Sequence, residues 1–288
     1  MKTYNDLYLS ARTQLKQCGI ESCNLEARLL VAQAAGKTPE QLLRDLNLYS
    51  SPAVEEKVTD SLARRMRGEP VAYITGTWEF YGLPLTVTPD VLIPRMDTEL
   101  LVTTARELFM GRKMDARILD LCCGSGCIAC ALARVFPASK LVAVDISASA
   151  LAVCRKNLAE YGFSSRCITR QADATASPPL GMGSFDMIVS NPPYIPSGEI
   201  LTLDSSVRDY EPIWALDGGE DGLRFYKSIL KYWKSLLKPG GYLLFEVGEG
   251  QADEVREMIL AAGFASVDVR KDTLGVDRVV FGRSYLEQ

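Results

Sequence analysis

The sequence contains no histidine among its 288 residues. Histidine is the side chain that most often transfers protons near neutral pH, and it is also the commonest zinc ligand. Its absence excludes catalysis by a Ser-His or Cys-His arrangement. We therefore expect a chemistry that needs neither an imidazole nor a bound metal ion.

Long apolar segments are also absent. No stretch of the sequence approaches the roughly 20 apolar residues that cross a bilayer, and residues 1–6 lack the apolar core of a signal peptide. These absences predict a cytoplasmic protein without membrane contact. In that compartment the eight cysteines are expected to be buried thiols and not disulfides.

The chain carries little net charge. Its 32 basic and 36 acidic residues give a formal charge of -4, whereas proteins that grip a nucleic-acid backbone rely on many Lys and Arg contacts. We therefore expect no stable binding of nucleic acid. The apolar share of 47% is ordinary for a globular protein of this length, which can build a real core.

Three segments differ in their residue pattern. Residues 1–70 show helical spacing, and Thr38-Pro39-Glu40-Gln41 has the form of a capping box with proline at the first helical position. Residues 71–94 are rich in aromatic, β-branched, Gly and Pro residues, which favours a hairpin linker. Residues 95–288 alternate strands and helices, so we predict a small helical domain, a linker and a larger α/β domain.

A basic cluster closes the last predicted helix of the first segment. It consists of Arg64, Arg65 and Arg67. Such side chains either complement the partial negative charge at the carboxyl end of a helix or contact a partner. The pattern leaves both roles open, and we expect the helical domain to contact the partner through this cluster.

The third segment is expected to form a sheet. Its strands are predicted at residues 117–121, 141–146, 167–173, 185–190 and 242–247, with two more around Val267 and Val279. Alternating strands and helices indicate an α/β fold with a mostly parallel, doubly wound, Rossmann-like sheet. Ligands bind such sheets at the carboxyl ends of the strands.

A glycine-rich turn follows the first of these strands, and the next strand ends near Asp145. Glycine lets a backbone approach a ligand closely, and a carboxylate at the second strand suits the hydroxyls of a ribose. A dinucleotide motif would place a third glycine where Cys127 stands. The spacing is instead similar to the G-x-G-x-G motif of class I methyltransferases, with Cys122 in place of the first glycine.

This likeness implies S-adenosyl-L-methionine as the cofactor. Asp173, at the end of the third strand, and Ala174 are expected beside the adenine, although Asp173 could equally be a cap or turn residue. The predicted cofactor-binding residues of the sheet are Cys122, Cys123, Gly124, Ser125, Gly126, Asp145, Asp173, Ala174 and Asn191.

The strand at 185–190 runs directly into Asn191-Pro192-Pro193-Tyr194. The prolines fix their own φ angles and have no N–H, so carbonyls are exposed without competing donors. The Asn191 amide oxygen and the Pro192 carbonyl can accept both hydrogens of one planar NH2 group, and Tyr194 offers a flat face against it.

Such an arrangement is suited to an unreactive amide or amine nitrogen. Two acceptors would orient the nitrogen toward a sulfonium methyl and stabilise the positive charge that develops on it. No strong general base is needed before attack, which agrees with the lack of histidine. We predict Asn191, Pro192 and Tyr194 as catalytic residues, and we predict that Pro193 completes the substrate site.

The chain is similar to the HemK/PrmC family, the protein-glutamine methyltransferases of class I peptide chain release factors. Besides the motif at 191–194, the matching segments are Gly68-Glu69-Pro70-Val71-Ala72-Tyr73-Ile74-Thr75-Gly76, Glu79-Phe80-Tyr81-Gly82, Leu92-Ile93-Pro94-Arg95-Met96-Asp97-Thr98-Glu99, Tyr210-Glu211-Pro212, residues 215–223, residues 237–241 and Asp277-Arg278-Val279-Val280. The resemblance implies a class I methyltransferase sheet behind a small helical domain. It also implies that the glutamine of a Gly-Gly-Gln loop of a release factor is the substrate.

The resemblance adds two residues to the expected site. Phe80 would border the cofactor and Arg95 would border the substrate, with packing in the linker and a structural ion pair as the respective alternatives. The chain departs from the family where Cys122 and Cys123 replace Gly-Thr, where Met96 replaces a proline, and where Ala174 replaces a residue that is often aromatic. A monomer is expected.

The sequence leaves three other functions open. A nucleic-acid methyltransferase acting on adenine or guanine amines poses the same chemical problem. Cys123, Cys127 and Cys130 have the C-x3-C-x2-C spacing of iron–sulfur enzymes that use the same cofactor, although Cys127 and Cys130 are expected on a helix as small hydrophobic residues. A binding protein without turnover is the third alternative.

Overall fold

The computed structural model describes residues 1–110 and 115–285. By their internal contacts these residues divide into two units, Met1–Thr77 with Asp204–Tyr210, and Trp78–Leu203 with Glu211–Gln288. In the described parts of the chain we find no helix whose length and apolar character would suit it to crossing a membrane.

The regular elements are numbered along the chain. The α-helices are α1 (Tyr4–Gln17), α2 (Cys23–Ala34), α3 (Pro39–Arg44), α4 (Pro52–Met66), α5 (Val71–Thr75), α6 (Glu99–Phe109), α7 (Cys127–Val135), α8 (Ala148–Glu160), α9 (Ser205–Arg208), α10 (Arg224–Tyr232) and α11 (Ala252–Ala261). The strands are β1 (Thr77–Phe80), β2 (Leu83–Thr86), β3 (Arg117–Leu121), β4 (Lys140–Asp145), β5 (Cys167–Gln171), β6 (Phe185–Ser190), β7 (Ile195–Pro196), β8 (Asp217–Gly219), β9 (Leu237–Glu246), β10 (Phe264–Lys271) and β11 (Asp277–Ser284). Short 3-10 turns lie at Met96–Thr98, Ser197–Thr202, Ile213–Ala215 and Lys234–Leu236.

The first unit is helical, and side-chain caps begin its helices. The capping box predicted before α3 is confirmed, because the Thr38 hydroxyl accepts from the Gln41 amide and the Gln41 side chain accepts from the Thr38 amide. A second box, between Thr3 and Asp6, begins α1. Each such cap satisfies backbone donors that a helix leaves free, which stabilises it by about 1 kcal/mol.

The basic cluster at the end of α4 is largely paired within its own unit. Arg64 lies 2.5 Å from a Glu69 carboxylate oxygen, and Arg65 lies 2.5 Å from the almost fully buried Glu26. Arg67 pairs with no acidic side chain among the described residues. Two of the three arginines therefore have a structural role, which weakens the expectation that the cluster as a whole contacts a partner.

The segment predicted as a hairpin linker begins with a helix. Pro70 precedes α5, and Gly76 ends it in the left-handed conformation, at a φ of 72°. The hairpin of β1 and β2 follows. Residues 71–75 are therefore helical and not extended, because a preceding proline and a left-handed glycine are suitable ends for a short helix.

The second unit is built on the predicted parallel sheet. Seven of the described strands form one sheet in the order β10-β11-β9-β6-β3-β4-β5. Neighbouring strands from β9 to β5 are parallel, with β3 between β6 and β4. Because these strands are parallel, the carboxyl ends of β3, β4 and β6 lie at one edge of the sheet. The strand order reverses beside β3, and such sheets bind ligands at this point.

The sheet ends in an antiparallel pair that the sequence analysis does not specify. β11 is antiparallel to both β9 and β10. The connection between β10 and β11 is too short for a helical crossover, so the two strands must form a hairpin. Apolar clusters cover both faces of the sheet, and the largest fully buried side chains include Trp233, Tyr226 and Phe245.

Candidate active site

A cavity of about 260 Å³ opens at the carboxyl edge of the sheet. Residues from the ends of β3, β4, β5 and β6 line it, together with two loops. Its lining comprises Asp90, Val91, Leu92, Cys122, Gly124, Asp145, Ile146, Ala150, Ala172, Asp173, Ala174, Thr175, Asn191, Pro193, Trp214, Ala215, Arg224 and Phe225. The cavity thus brings together seven of the residues that the sequence analysis assigned to the cofactor and the substrate.

The turn after β3, residues 122–126, is called the cofactor loop, and its Cys122 and Gly124 line the cavity. Cys122, Gly124 and Gly126 have φ angles of 60°, 50° and 76°. Gly126 has no room for a side chain, since an added Cβ would lie 2.5 Å from the Cys154 Sγ. Cys122 adopts a left-handed conformation that favours glycine.

Asp145, at the end of β4, is hydrogen-bonded to the cofactor loop. Its carboxylate accepts from the Gly124 amide at 2.9 Å and from the Ser147 amide at 2.9 Å. Burial raises the pKa of this carboxyl above its usual value, while the backbone donors act in the opposite direction. Its position in the cavity wall suits acceptance of hydrogen bonds from a ribose.

Beneath the loop lies Asp120, which the sequence analysis overlooked. It is 0% exposed, and its two oxygens have no hydrogen-bond partner among the described residues. Burial, with the nearby charge of Asp145, raises its pKa well above the usual range. The Ser125 hydroxyl is also buried without a partner. Buried polar groups of this kind need donors, and neither Asp120 nor Ser125 is among the residues that line the cavity.

The signal for Asp120 was present in the sequence. An acidic residue inside an otherwise apolar strand, two positions before a glycine-rich turn, is seldom structural because its burial is costly. The carboxylates at Asp120 and Asp145 and the backbone of the cofactor loop are together compatible with the predicted cofactor.

The adenine end of the cavity departs from the family pattern. Asp173 accepts from the Thr175 amide and hydroxyl, both at 2.7 Å, and so has the turn role that was the alternative. It also lines the cavity beside Ala174, which is 5% exposed. Aromatic side chains also line the cavity, namely Trp214 of the 3-10 turn Ile213–Ala215 and Phe225 of α10.

The motif after β6, residues 191–194, is called the strand exit. Its Asn191 and Pro193 line the cavity, whereas the predicted site residues Pro192 and Tyr194 are not among the lining residues. The Asn191 amide nitrogen donates to the Thr98 hydroxyl at 3.1 Å. Among the described residues no hydrogen bond reaches the Asn191 amide oxygen, and Asn191 lines the cavity. Pro192 and Pro193 are buried, whereas Tyr194 is half-buried.

Tyr194 is held from behind by backbone and side-chain contacts. Its carbonyl accepts from the Gln251 side chain at 2.9 Å. A Cβ on Gly218 would lie 2.7 Å from the Tyr194 Cα, and a Cβ on Gly248 would lie 3.0 Å from its ring. Burial raises the pKa of the phenol, so Tyr194 stays neutral.

A second buried carboxyl, Glu246, lies at the end of β9, beside the strand that carries the exit. It is 1% exposed, and its Oε2 atom has no hydrogen-bond partner in the described chain. Burial raises its pKa to about 7. Sequence reasoning missed it, although one acidic residue closing a long apolar strand was again a visible signal.

Phe80 and Arg95 lie outside the cavity lining. Phe80 is 1% exposed within the apolar cluster on one face of the sheet. Arg95 lies 2.5 Å from a carboxylate oxygen of Glu211, whose other oxygen accepts from the Ile93 amide. Both placements match the structural alternatives stated for these residues, and neither supports a direct ligand contact.

The cysteines of the C-x3-C-x2-C spacing are dispersed between the cofactor loop and α7. Burial raises the pKa of the Cys127 thiol to about 12 and raises that of Cys130 as well, which disfavours the thiolate form that ligates iron. Within residues 1–110 and 115–285, no group of three or more Cys, Asp or Glu side chains converges as a metal site.

This fold and this site define an S-adenosylmethionine-dependent methyltransferase. Family models agree with that class, since a PrmC N-terminal domain matches residues 6–76 and a methyltransferase small domain matches residues 96–203. A release factor glutamine methyltransferase of Geobacter sulfurreducens is 40% identical over 94% of this chain and 93% of its own. One of Caulobacter vibrioides is 39% identical over 96% and 94%. The chain therefore belongs to the family of release factor glutamine methyltransferases.

A solved structure shares the fold at lower identity. The hMettl16 catalytic domain in complex with MAT2A 3'UTR hairpin 1 is 17% identical and has a TM-score of 0.59, with 90% of this chain and 92% of that chain covered. At that identity the likeness concerns the fold alone.

Proposed function

We propose that this protein transfers a methyl group from S-adenosylmethionine to the side-chain amide nitrogen of the glutamine in the Gly-Gly-Gln loop of class I peptide chain release factors. The relatives named for that activity match nearly the whole chain. The observation that carries the proposal is the Asn191 amide, whose nitrogen is engaged by Thr98 while its oxygen remains available at the cavity.

An amide nitrogen is a poor nucleophile because its lone pair is delocalised into the carbonyl. S-adenosylmethionine, when bound, would supply a methyl group on a sulfonium, with the sulfur as the leaving group that retains the C–S electron pair. The Asn191 oxygen and the Pro192 carbonyl accept the two amide hydrogens of the glutamine. They thereby orient the nitrogen in line with the methyl group and stabilise its developing positive charge.

Tyr194 and the prolines complete the substrate site. The Tyr194 ring provides a flat surface for the planar amide, and the buried prolines hold the exit in one conformation. After transfer the nitrogen is strongly acidic, so its proton can pass to an acceptor or to water without an imidazole. The absence of histidine is therefore compatible with this chemistry.

The experiment is a transfer assay with site mapping. Purified protein, S-adenosylmethionine and unmodified release factor are incubated, and methylation is located by peptide mass spectrometry. We expect a single methyl group on the Gly-Gly-Gln glutamine, and we expect none with the Asn191→Ala variant. Transfer to total RNA or DNA in place of the release factor would contradict the proposal and support the nucleic-acid alternative.

We further infer that the protein acts as a monomer in the cytoplasm and holds no stable nucleic acid. The balance of 32 basic and 36 acidic residues supports the last point, because binding to a phosphate backbone depends on an excess of positive side chains. Light scattering at assay concentrations should give the monomer mass. A change of mass on adding RNA would contradict the inference.

A further inference from the structure

The strand exit cannot be anchored through backbone donors of its two prolines, because proline has no N–H. The peptide unit between Tyr194 and Ile195 ends the motif, and both of its polar groups are hydrogen-bonded. The Tyr194 carbonyl accepts from the Gln251 side-chain amide at 2.9 Å, and the Ile195 N–H donates to the Leu216 carbonyl at 3.0 Å. This peptide unit therefore anchors the exit at the end that is farther along the chain.

Gln251 lies directly before α11, and both ends of its side-chain amide are engaged by backbone groups. Its Oε1 atom accepts from the Gly248 N–H at 3.0 Å. A backbone N–H can only donate, so the amide oxygen must face Gly248 and the NH2 end must face the Tyr194 carbonyl. The two backbone partners thus set the orientation of the amide, which gives the Tyr194 carbonyl a donor in a fixed place.

Three glycines pack against this contact, and we call Gly218, Gly222 and Gly248 the glycine seat. A Cβ on Gly218 would lie 2.7 Å from the Tyr194 Cα, and a Cβ on Gly248 would lie 3.0 Å from the Tyr194 ring. A Cβ on Gly222 would clash with the Tyr194 carbonyl oxygen and would lie 2.6 Å from the Gln251 Nε2. The main chain of the exit therefore packs directly on backbone, with no side chain between them.

Two glycines of the seat belong to residues 215–223, a segment that matches the family and for which the sequence analysis predicts no role. In the structure this segment contains β8, which pairs with β7 immediately after the exit, with Ile195 opposite Asp217. The third glycine and Gln251 follow β9. Two segments that are distant in the sequence therefore meet at one peptide unit of the exit.

We propose that Gln251 is a positioning residue, which together with the glycine seat holds the strand exit in the geometry that the reaction needs. The prolines fix their own φ angles, so a shift of the Tyr194 main chain is passed on to the Pro192 carbonyl. The inference rests on the proposed function, in which that carbonyl and the Asn191 oxygen accept from the glutamine amide. Gln251 is not among the residues that line the cavity, so it acts through Tyr194.

The test measures kcat, KM for the release factor and the calorimetric affinity for S-adenosylhomocysteine in two variants. Gln251→Glu keeps the shape and the acceptor for the Gly248 N–H but places an oxygen against the Tyr194 carbonyl, whereas Gln251→Met removes both hydrogen bonds. Both should lower kcat by roughly 10- to 100-fold, because a displacement of about 1 Å at reacting groups costs on that order. KM and the affinity for S-adenosylhomocysteine should change only a few-fold.

Gly222→Ala disturbs the same contact without changing Gln251. Its matched control is Gly263→Ala, beyond the end of α11. Both glycines are in the left-handed region, with φ angles of 72° and 84°, but a Cβ on Gly263 would meet nothing within 4 Å. Both variants should lose stability through backbone strain, and only Gly222→Ala should lower kcat.

The outcomes separate this inference from the proposed function. If the wild-type protein does not methylate the release factor, the proposed function fails. If it is active and both Gln251 variants keep kcat within twofold of wild type, the positioning role alone is overturned. A parallel loss of kcat and of affinity for S-adenosylhomocysteine would also overturn that role, as would an equal fall of kcat in Gly222→Ala and Gly263→Ala, because either result would indicate a general loss of structure.

Discussion

The cofactor loop and the strand exit lie at the ends of neighbouring strands, and they are specified by different means. The loop depends on backbone conformation, with every second residue from Cys122 to Gly126 in the left-handed region. The exit depends on the side chains of Asn191 and Tyr194 and on the Pro192 carbonyl. The chain departs from its family in the loop, where Cys122 and Cys123 replace Gly-Thr, and retains every residue of the exit.

This difference shows what each kind of site tolerates. A backbone-defined loop can accept another side chain wherever space is open, at a cost in strain of order 1–3 kcal/mol. A side chain that supplies an acceptor has no substitute of the same shape and hydrogen bonding. The following variants test this contrast, beginning with the largest expected effect.

Asn191→Ala should have the largest effect on activity. Loss of the acceptor is expected to lower kcat by roughly 10²- to 10³-fold, as for other preorganised groups at a developing charge. Cofactor affinity, measured by calorimetry, should change by only a few-fold. A large loss of cofactor binding with unchanged kcat would contradict this prediction, because Asn191 would then act on the cofactor and not on the substrate.

Gly126→Ala should lower the stability of the protein and its cofactor affinity, in contrast to Asn191→Ala, which should lower kcat. The added Cβ would lie 2.5 Å from the Cys154 Sγ and 3.3 Å from its Cα, and the φ of 76° is strained for alanine. We expect a loss of about 2–4 kcal/mol in the free energy of unfolding, since overpacking and backbone strain add, together with weakened cofactor binding. Gly124→Ala, where the space is open, is the matched control for strain without a clash.

Glu246→Gln should stabilise the protein at high pH. The pKa of Glu246 is raised from 4.5 to about 7 in the folded protein, so its burial favours folding fully below pH 4.5, and this contribution is lost as the pH rises through 7. The gain of the variant over wild type should therefore grow from pH 5 to pH 8, up to roughly 3 kcal/mol. Denaturant unfolding at both pH values would measure it. An equal difference at both pH values would show that Glu246 does not titrate in this way.

Cys122→Gly and Cys123→Gly should have the smallest effects of these variants. Cys122 has a φ of 60°, so glycine relieves strain there and offsets the entropy that it adds to the unfolded chain. We expect the free energy of unfolding to stay within about 0.5 kcal/mol of wild type. Cys123 is 3% exposed in the core, and Cys123→Gly should lose about 2 kcal/mol. Equal effects at the two positions would contradict the distinction.

The contrast also shows how far the sequence could be interpreted. Alternation of strands and helices predicted the parallel sheet, and the glycine spacing with Asp145 predicted which edge would carry the cavity. These are local patterns, with partners a few residues apart or at successive strand ends. The order of the last two strands was not predicted, although their short connection required a hairpin.

Local sequence patterns could not predict contacts between residues that are far apart in the chain. Thr98 and Asn191 are 93 positions apart, and Glu246 lies beside the strand that leads to Asn191 only because β9 pairs with β6. Asp120 and Glu246 were visible as acids in apolar strands, but their lack of partners is a property of the folded chain. Phe80 and Arg95 were assigned by resemblance alone, and their burial in the core and pairing with Glu211 arise from packing that no motif records.

The account depends most on the claim that one glutamine nitrogen is the methyl acceptor. The most direct measurement is transfer of labelled methyl from S-adenosylmethionine to two forms of a release factor, one intact and one with its Gly-Gly-Gln glutamine replaced by glutamate. We predict stoichiometric labelling of the intact form and none of the other, because a carboxylate has no hydrogens to donate to Asn191 and Pro192. Equal labelling of both forms would contradict the account.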